Sequence, residues 1–131
     1  MPSLVRDPIR QRIMFGTPFT TLLPRCHGKI LSAIVLDDNL VLKFTDGTQV
    51  GLQDTGQSCC EHRYLHSDDD LAYYVGAALE DVDLEEGPTE NKDYEIKECM
   101  FLRVTTSRGV FTICSYNKHN GYYGGISIEE F

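Results

Sequence analysis

Residues 56–66, GQSCCEHRYLH, bring two adjacent cysteines, a glutamate and two histidines into eleven positions. These residue types could bind a metal ion or provide a nucleophile and its base. If the stretch is a β-strand, alternate side chains point to opposite sides of the sheet, so that adjacent cysteines do not share one ion. One side then carries Cys59, Glu61, Arg63 and Leu65, and the other carries Cys60, His62, Tyr64 and His66.

A zinc site is one interpretation of this stretch. Cys60 and His62 would lie about 6–7 Å apart along a strand and could supply two ligands. Further ligands would come from Cys26, His27, Cys99, Cys114 or His119. Zinc sites usually show paired Cys-x2-Cys and His-x3-His spacings, and the sequence contains no Cys-x2-Cys to accompany His62 and His66. We therefore predict no metal site, with Cys60 and His62 as weak candidates.

A cysteine nucleophile is a second interpretation. Cys60 could pair with His62 or His66, and a third group such as Glu98 or Asp70 would orient the histidine. The spacing does not single out this arrangement, and a free cysteine is more often a small core residue than a reagent. We therefore predict no catalytic residues, and a cysteine- or zinc-dependent hydrolase is the alternative function.

The composition restricts the location and the partners of the protein. The 131 residues carry a net charge of −8, which repels phosphate backbones and disfavours binding to nucleic acid. No apolar run approaches the roughly 18–20 residues that cross a membrane, and the charged, proline-broken N-terminus does not resemble a secretory signal. Five cysteines, an odd number, argue against a disulfide framework. These features predict a protein of the cytosol.

The chain divides into an N-terminal arm, residues 1–28, and a single β-rich domain, residues 29–131. The arm contains four prolines, and its residues 8–16 are compatible with a short helix. We expect the arm to pack across its own domain or across a neighbouring subunit, which would make the protein a homo-oligomer.

Short β-like runs dominate the domain. Asp46-Gly47 between apolar runs is a strong hairpin signal because its turn needs a positive φ. Residues 107–109 indicate a second hairpin, whose register stays open between a two-residue and a three-residue loop. Residues 67–76, SDDDLAYYVG, are typical of a short helix with an acidic start, and residues 79–87 fit either an edge strand or a solvated loop. We predict an α+β fold, mainly antiparallel β-sheet with one or two short helices.

A group of polar and aromatic residues near the C-terminus is a candidate ligand site. Tyrosines beside an Asn-Gly turn and flexible glycines can form an adaptable surface that holds a nucleotide or a protein. The residues are Tyr116, His119, Asn120, Tyr122 and Tyr123, with Lys118 between them. The plainer interpretation, which we favour, is a hairpin turn whose tyrosines straddle the sheet. The sequence has no phosphate-binding loop motif, and we expect no cofactor.

An acidic face is a second candidate surface. Its residues are Asp68, Asp69, Asp70, Glu80, Asp81, Asp83, Glu85 and Glu86. As a binding surface it would attract a basic host protein through forces that weaken with salt. As a solvated face it would only increase solubility.

Residues 57–61, QSCCE, and residues 120–123, NGYY, carry a resemblance to a known family. Over residues 28–131 the chain resembles a small uncharacterised domain family of bacteriophages and prophage-bearing bacteria. The family pattern is Gln-Asp-Cys-Cys-Glu, then a short acidic helix, then a closing hairpin with Asn-Gly-Tyr-Tyr-Ser. This chain departs from the pattern in three ways: Ser58 replaces the Asp, Gly124 replaces the final Ser, and the hairpin tryptophans are missing. The resemblance implies a phage accessory protein in the host cytosol. Such a protein would counter host defence by binding a host protein or by sequestering a nucleotide signal.

Overall fold

The computed structural model describes residues 24–54, 61–121, 124–126 and 128–131. Within them, nine strands and one 3₁₀ turn follow one another along the chain. The strands are β1 (Leu31–Leu36), β2 (Leu40–Phe44), β3 (Gln49–Asp54), β4 (His62–His66), β5 (Leu79–Glu86), β6 (Glu90–Lys92), β7 (Glu95–Thr106), β8 (Gly109–His119) and β9 (Ile128–Glu130). The 3₁₀ turn, Leu71–Tyr74, lies between β4 and β5.

The first sheet has the strand order β1-β2-β3-β9, and all its neighbours are antiparallel. Its β2–β3 hairpin turns at Asp46-Gly47, where Gly47 has a φ of 89°, so the hairpin predicted there is confirmed. Hydrogen bonds from Thr48 are the main reason that the pKa of Asp46 is lowered to about 2, and the ammonium of Lys29 lies 3.0 Å from the same carboxylate. The turn is therefore held by its own side chains.

The second sheet has the order β4-β8-β7-β5, and β6 pairs with the first residues of β7. Its longest hairpin joins β7 and β8, with Thr106 opposite Gly109 and a two-residue loop between them. The register that the sequence left open is therefore the two-residue one. It turns Phe111 and Ile113 toward the first sheet, where both are buried.

The core lies between the two sheets, which join at one corner. Leu40, Leu42 and Leu52 from the first sheet belong to the same buried cluster as Leu102 and Phe111 from the second. The corner is made by an isolated bridge between Ile30 and Ala78, and by a hydrogen bond of 2.9 Å from the backbone N–H of Leu31 to the carbonyl of Ala77. The domain is thus two packed antiparallel layers.

The predicted antiparallel sheet is confirmed. The α+β label fits only loosely, because the domain contains very little helix. Within the described residues, helix is limited to residues 24–26 and the single 3₁₀ turn. The short helix predicted over residues 67–76 is limited to the 3₁₀ turn Leu71–Tyr74, because the polar side chains before it bond to β8. Ser67 Oγ donates to the carbonyl of Thr112 at 2.7 Å, and the Thr112 N–H donates to Asp69 at 2.7 Å.

For residues 79–87 the sequence left an edge strand and a solvated loop as alternatives. The structure has the edge strand, β5 (Leu79–Glu86). The predicted helix over residues 8–16 lies outside the described residues.

Gly51 in β3 supports a test of how the last residue packs. A methyl group added at Gly51 would lie 2.5 Å from Phe131 Cζ, which is closer than van der Waals contact allows. We expect Gly51→Ala to push the ring away and lower the free energy of unfolding by about 1 kcal/mol, the low end for overpacking, because the ring is half exposed and can move. Urea unfolding measures this change.

The matched control is Gly51→Ala in a Phe131→Ala background. There the clash is absent, and replacing a strand glycine by alanine should be neutral or stabilising. Equal losses in both backgrounds would contradict the packing of Phe131 on Gly51.

Candidate functional site

Strand β4 separates its chemically active side chains onto two sides of the second sheet, as the alternation predicts. His62, Tyr64 and His66 lie opposite Lys118, Tyr116 and Cys114 of β8, on the side that faces away from the first sheet. Arg63 lies opposite the fully buried Asn117 on the inner side. The prediction of two faces is therefore confirmed for residues 61–66.

The outer side of the sheet carries a group of aromatic and basic residues, which we call the outer patch. Its members are His62, Tyr64, Lys97, Tyr116 and Lys118. The rings of Tyr64 and Tyr116 stack with centroids 5.0 Å apart, and His62 lies 5.1 Å from Tyr64. The ammonium of Lys97 lies 4.3 Å from the centroid of Tyr116, and that of Lys118 lies 5.9 Å from the centroid of Tyr64. Both lysines are within the range of cation–π attraction.

The inner side carries a buried polar cluster around Arg63. Arg63 Nη1 lies 2.7 Å from Asp54 Oδ1, and Nη2 lies 2.9 Å from Glu61 Oε2. Asn117 Nδ2 donates to the same Glu61 oxygen at 2.8 Å and to the carbonyl of Gly125 at 3.1 Å. The Arg63 and Asp54 side chains are 6% and 5% exposed. The buried guanidinium of Arg63 binds two carboxylates, and one of them also accepts a hydrogen bond from Asn117. The cluster therefore connects β3, β4 and β8.

Glu98 and His119 extend this cluster toward the end of β8. Glu98 Oε1 lies 2.6 Å from His119 Nε2 and accepts a hydrogen bond of 2.8 Å from the Gly125 N–H. The Gly121 N–H donates to His119 Nδ1 at 3.0 Å. Because Nδ1 is an acceptor, Nε2 carries the hydrogen and donates to Glu98. Both ring nitrogens are therefore engaged, and His119 anchors the chain that follows β8 instead of acting as a general base.

Three buried polar atoms have no hydrogen-bond partner in the described part of the chain. They are Arg63 Nε, Ser115 Oγ and Asn117 Oδ1. An unsatisfied buried polar atom costs about 1–3 kcal/mol, and a buried ion pair is itself weak evidence for stability. The cluster is therefore better explained by the positions it imposes on its neighbours than by its contribution to stability.

An open cleft lies where the polar cluster meets the outer patch. It has a volume of about 460 Å³ and is lined by Glu61, His62, Tyr94, Glu95, Lys118, His119 and Asn120. Tyr94 is 99% exposed. It belongs to the two-residue turn between β6 and β7, where Asp93 and Tyr94 have φ values of 50° and 68°. The cleft thus combines an exposed ring, an amide and a lysine.

The comparison with protein families adds one match. A family model described as a domain of unknown function, DUF7448, covers residues 25–128. The chain belongs to the DUF7448 family. No curated protein and no solved structure matches the chain.

The described candidate ligand residues of this DUF7448 domain do not all lie on one side of the second sheet. Tyr116 lies on the outer side of the sheet, and the buried His119 lies on the inner side. His119 and Asn120 both line the cleft. Tyr122 and Tyr123 lie outside the described residues.

The acidic residues are divided between two edges of the second sheet. Residues 68–70 follow β4 at one edge, and residues 80–86 belong to β5 at the other, with β8 and β7 between them. Three strand spacings separate the two edges, which is about 14 Å. Some of these carboxylates have local roles: Asp68 lies 2.7 Å from His66, and Glu85 lies 2.9 Å from Arg103. They do not make one continuous acidic face.

The sequence analysis missed Tyr94, Lys97 and the buried cluster. Neither residue of the tight turn at 93–94 is a glycine or an asparagine, so the sequence shows no hairpin signal there. Lys97 meets Lys118 only through the register of β7 and β8. The cluster joins residues from β3, β4, β7 and β8, and no spacing along the chain indicates this.

Within residues 24–54, 61–121, 124–126 and 128–131, no three His, Cys, Asp or Glu side chains are grouped to hold a metal ion. Cys59 and Cys60 lie outside this part of the chain, so the Cys60–His62 candidate stays a prediction. No helix in the described residues is long and apolar enough to span a bilayer.

Two cysteines of the outer side, Cys99 and Cys114, are poor nucleophiles. Burial raises the pKa of the Cys99 thiol to about 11, and the neighbouring Cys114 adds to the shift. Burial also raises the pKa of Cys114 and of Tyr116. All three groups are therefore protonated at neutral pH, whereas a reactive cysteine needs a thiolate.

We expect the alkylation of Cys99 by iodoacetamide at pH 8 to be about 100-fold slower than that of a free cysteine, because so little thiolate is present. The rate should keep rising with pH until about 11, where the thiol titrates. Mass spectrometry of the modified peptide measures the rate. The same thiol in urea-unfolded protein is the control and should react normally. A rate that levels off near pH 8 in the folded protein would contradict the raised pKa.

The buried cluster can be tested by replacing its arginine. Arg63→Met removes the guanidinium that lies 2.7 Å from Asp54 and 2.9 Å from Glu61, and we expect it to lower the free energy of unfolding by about 3–5 kcal/mol because a partner of a buried ion pair is lost. The control is Arg103→Met, whose partner Glu85 is 46% exposed and whose loss should cost at most about 1 kcal/mol. Urea unfolding compares the two. Similar small losses would show that Arg63 does not neutralise the buried carboxylates.

Proposed function

We propose that this DUF7448 domain is a non-enzymatic binding protein that sequesters a small nucleotide in the cleft beside Tyr94. We further propose that it is a phage or prophage accessory protein that acts in the host cytosol against a defence signal. The first proposal is supported by the chemistry of the cleft. The second is supported by the sequence resemblance at residues 57–61 and 120–123.

The exposed ring of Tyr94 is the observation that carries the proposal. A tyrosine with a φ of 68° is in the left-handed region, which costs a residue with a side chain about 1–2 kcal/mol. Asn-Gly would make the same two-residue turn without this cost. The turn therefore holds a fully exposed aromatic ring beside a cleft at the expense of stability, and strain of this kind concentrates at functional sites.

The other walls of the cleft fit the remaining parts of a nucleotide. An exposed tyrosine offers a face for stacking on a base. Asn120 supplies an amide that both donates and accepts hydrogen bonds, as the edge of a base requires. Lys118 and His62 line the same cleft and belong to the outer patch, so that the ammonium of Lys118 lies within reach of a phosphate.

The other functions drawn from the sequence receive less support. A basic host protein would have to span the sheet to meet both acidic edges. A hydrolase based on Cys60, His62 and His66 would have its two histidines on the outer side of the sheet. The described cysteines on that side, Cys99 and Cys114, are protonated at neutral pH. Binding of a nucleotide therefore has the better structural basis. A homo-oligomer formed through the N-terminal arm stays a proposal, because residues 1–23 lie outside the described part.

Calorimetry with a panel of nucleotides tests the proposal, and Tyr94→Ala is the first variant. Stacking on one base contributes about 1–3 kcal/mol, so we expect the affinity to fall by about tenfold or more. The matched control is Tyr73→Ala, which removes another exposed tyrosine. It lies on the 3₁₀ turn near the start of β8, whereas the cleft lies at the end of β8. Wild-type protein that binds no nucleotide of the panel would overturn the proposal.

A double variant separates the strain of the turn from its function. Asp93→Asn with Tyr94→Gly should raise the free energy of unfolding by about 1 kcal/mol, because both positions then tolerate a positive φ. The same variant should lose affinity like Tyr94→Ala. Affinity that survives in this variant would show that the ring does not contact the ligand.

A further inference from the structure

A row of basic side chains crosses three strands on the outer side of the second sheet. Lys118 of β8 lies directly opposite His62 of β4 on one side and opposite Lys97 of β7 on the other. Like charges directly opposite each other on neighbouring strands destabilise a sheet. Two lysines are nevertheless paired in this way on a protein whose net charge is −8.

Most other basic side chains of the described residues have clear partners. Lys29 pairs with Asp46, Arg103 pairs with Glu85, and Arg63 lies between two carboxylates. Arg108 donates to the carbonyls of Tyr73 and Val75. In the same part of the chain, neither Lys97 nor Lys118 forms a salt bridge with a carboxylate. Their ammonium groups are instead held over the rings of Tyr116 and Tyr64.

The surrounding carboxylates define the limits of the row. Glu90 of β6 lies opposite Lys97 on the side away from Lys118, and Glu95 lines the cleft. The middle of the row is Lys118, whose direct cross-strand neighbours are His62 and Lys97 and not a carboxylate, while Glu61 and Glu95 line the cleft beside it. His62 and Lys118 also line the cleft, so the row and the cleft are continuous.

We propose that this row is a phosphate-binding subsite and that the ligand carries more than one phosphate group. The inference rests on the proposed nucleotide-binding function and names the class of nucleotide. Two strand spacings separate His62 from Lys97, which is about 9–10 Å and wider than a single phosphate. A ligand whose base stacks on Tyr94 would place its phosphates along the row, where they relieve the repulsion between the lysines.

Calorimetry on the full chain tests the subsite with three sets of probes. These are the four common nucleosides, their 5′-diphosphates, and inorganic pyrophosphate. We expect the diphosphates to bind more tightly than the nucleosides, and the difference to shrink with added salt because screening weakens the phosphate contacts. Pyrophosphate alone should bind weakly and with the same salt dependence.

The deciding variant is Lys118→Gln. It should lower the affinity for the diphosphate by about tenfold, the effect of one lost charge-assisted hydrogen bond, while the affinity for the nucleoside stays unchanged. The melting temperature without ligand should stay equal or rise, because the repulsion with Lys97 is removed. The matched control is Lys43→Gln, an exposed lysine on β2 in the other sheet, which should change neither affinity.

The outcomes separate this inference from the proposed function. Equal affinities for nucleosides and diphosphates would overturn the phosphate subsite and leave nucleotide binding in place. Pyrophosphate binding that depends on Lys118, without binding of any nucleoside or nucleotide, would support the subsite and overturn the proposed function. Absence of binding by all three sets of probes would overturn both. A Lys118→Gln variant that loses stability and all affinities together would assign Lys118 a structural role.

Discussion

The two-residue turn between β7 and β8 decides which side of the second sheet every later residue of β8 faces. Thr106 Oγ1 donates to the carbonyl of Gly109 at 2.8 Å and accepts from the Arg108 N–H at 3.1 Å. The guanidinium of Arg108 donates to two carbonyls near the 3₁₀ turn, and the Ser107 N–H donates to Ala78. A loop longer by one residue would turn Phe111 to solvent and Tyr116 to the core. The core and both candidate binding surfaces therefore depend on this turn.

The inner side of β8 changes its chemistry along its length. Phe111 and Ile113 fill the core near the hairpin, and Ser115, Asn117 and His119 follow on the same side toward the other end. Each of these polar residues is buried. Asn117 bonds to Glu61 and Gly125, and His119 bonds to Glu98 and Gly121. The stable end of the sheet is thus apolar, and the polar end holds the segments that border the cleft.

The features that we connect with binding each lower stability in the unliganded protein. Tyr94 occupies a backbone conformation that suits glycine or asparagine. Lys97 and Lys118 oppose each other across two strands. The polar cluster leaves Arg63 Nε and Asn117 Oδ1 without partners in the described chain. Proteins tolerate such local costs where a ligand or a required geometry offsets them, and here they lie at the same end of the sheet.

Local chemistry allowed part of this structure to be predicted. The Asp46-Gly47 hairpin follows from the need for a positive φ, and the two faces of residues 61–66 follow from the alternation of side chains along a strand. The helix predicted over residues 67–76 is limited to the 3₁₀ turn Leu71–Tyr74, because Ser67 and Asp69 before it bond to Thr112, a partner distant in sequence. The meeting of Lys97 with Lys118, and of Arg63 with Asp54, depends on pairing between strands. The sequence by itself thus determined the predominance of antiparallel strands, the Asp46-Gly47 turn and the two sides of β4. The tertiary structure alone decided which of those sides meet, because register and sheet packing join residues that no local pattern relates.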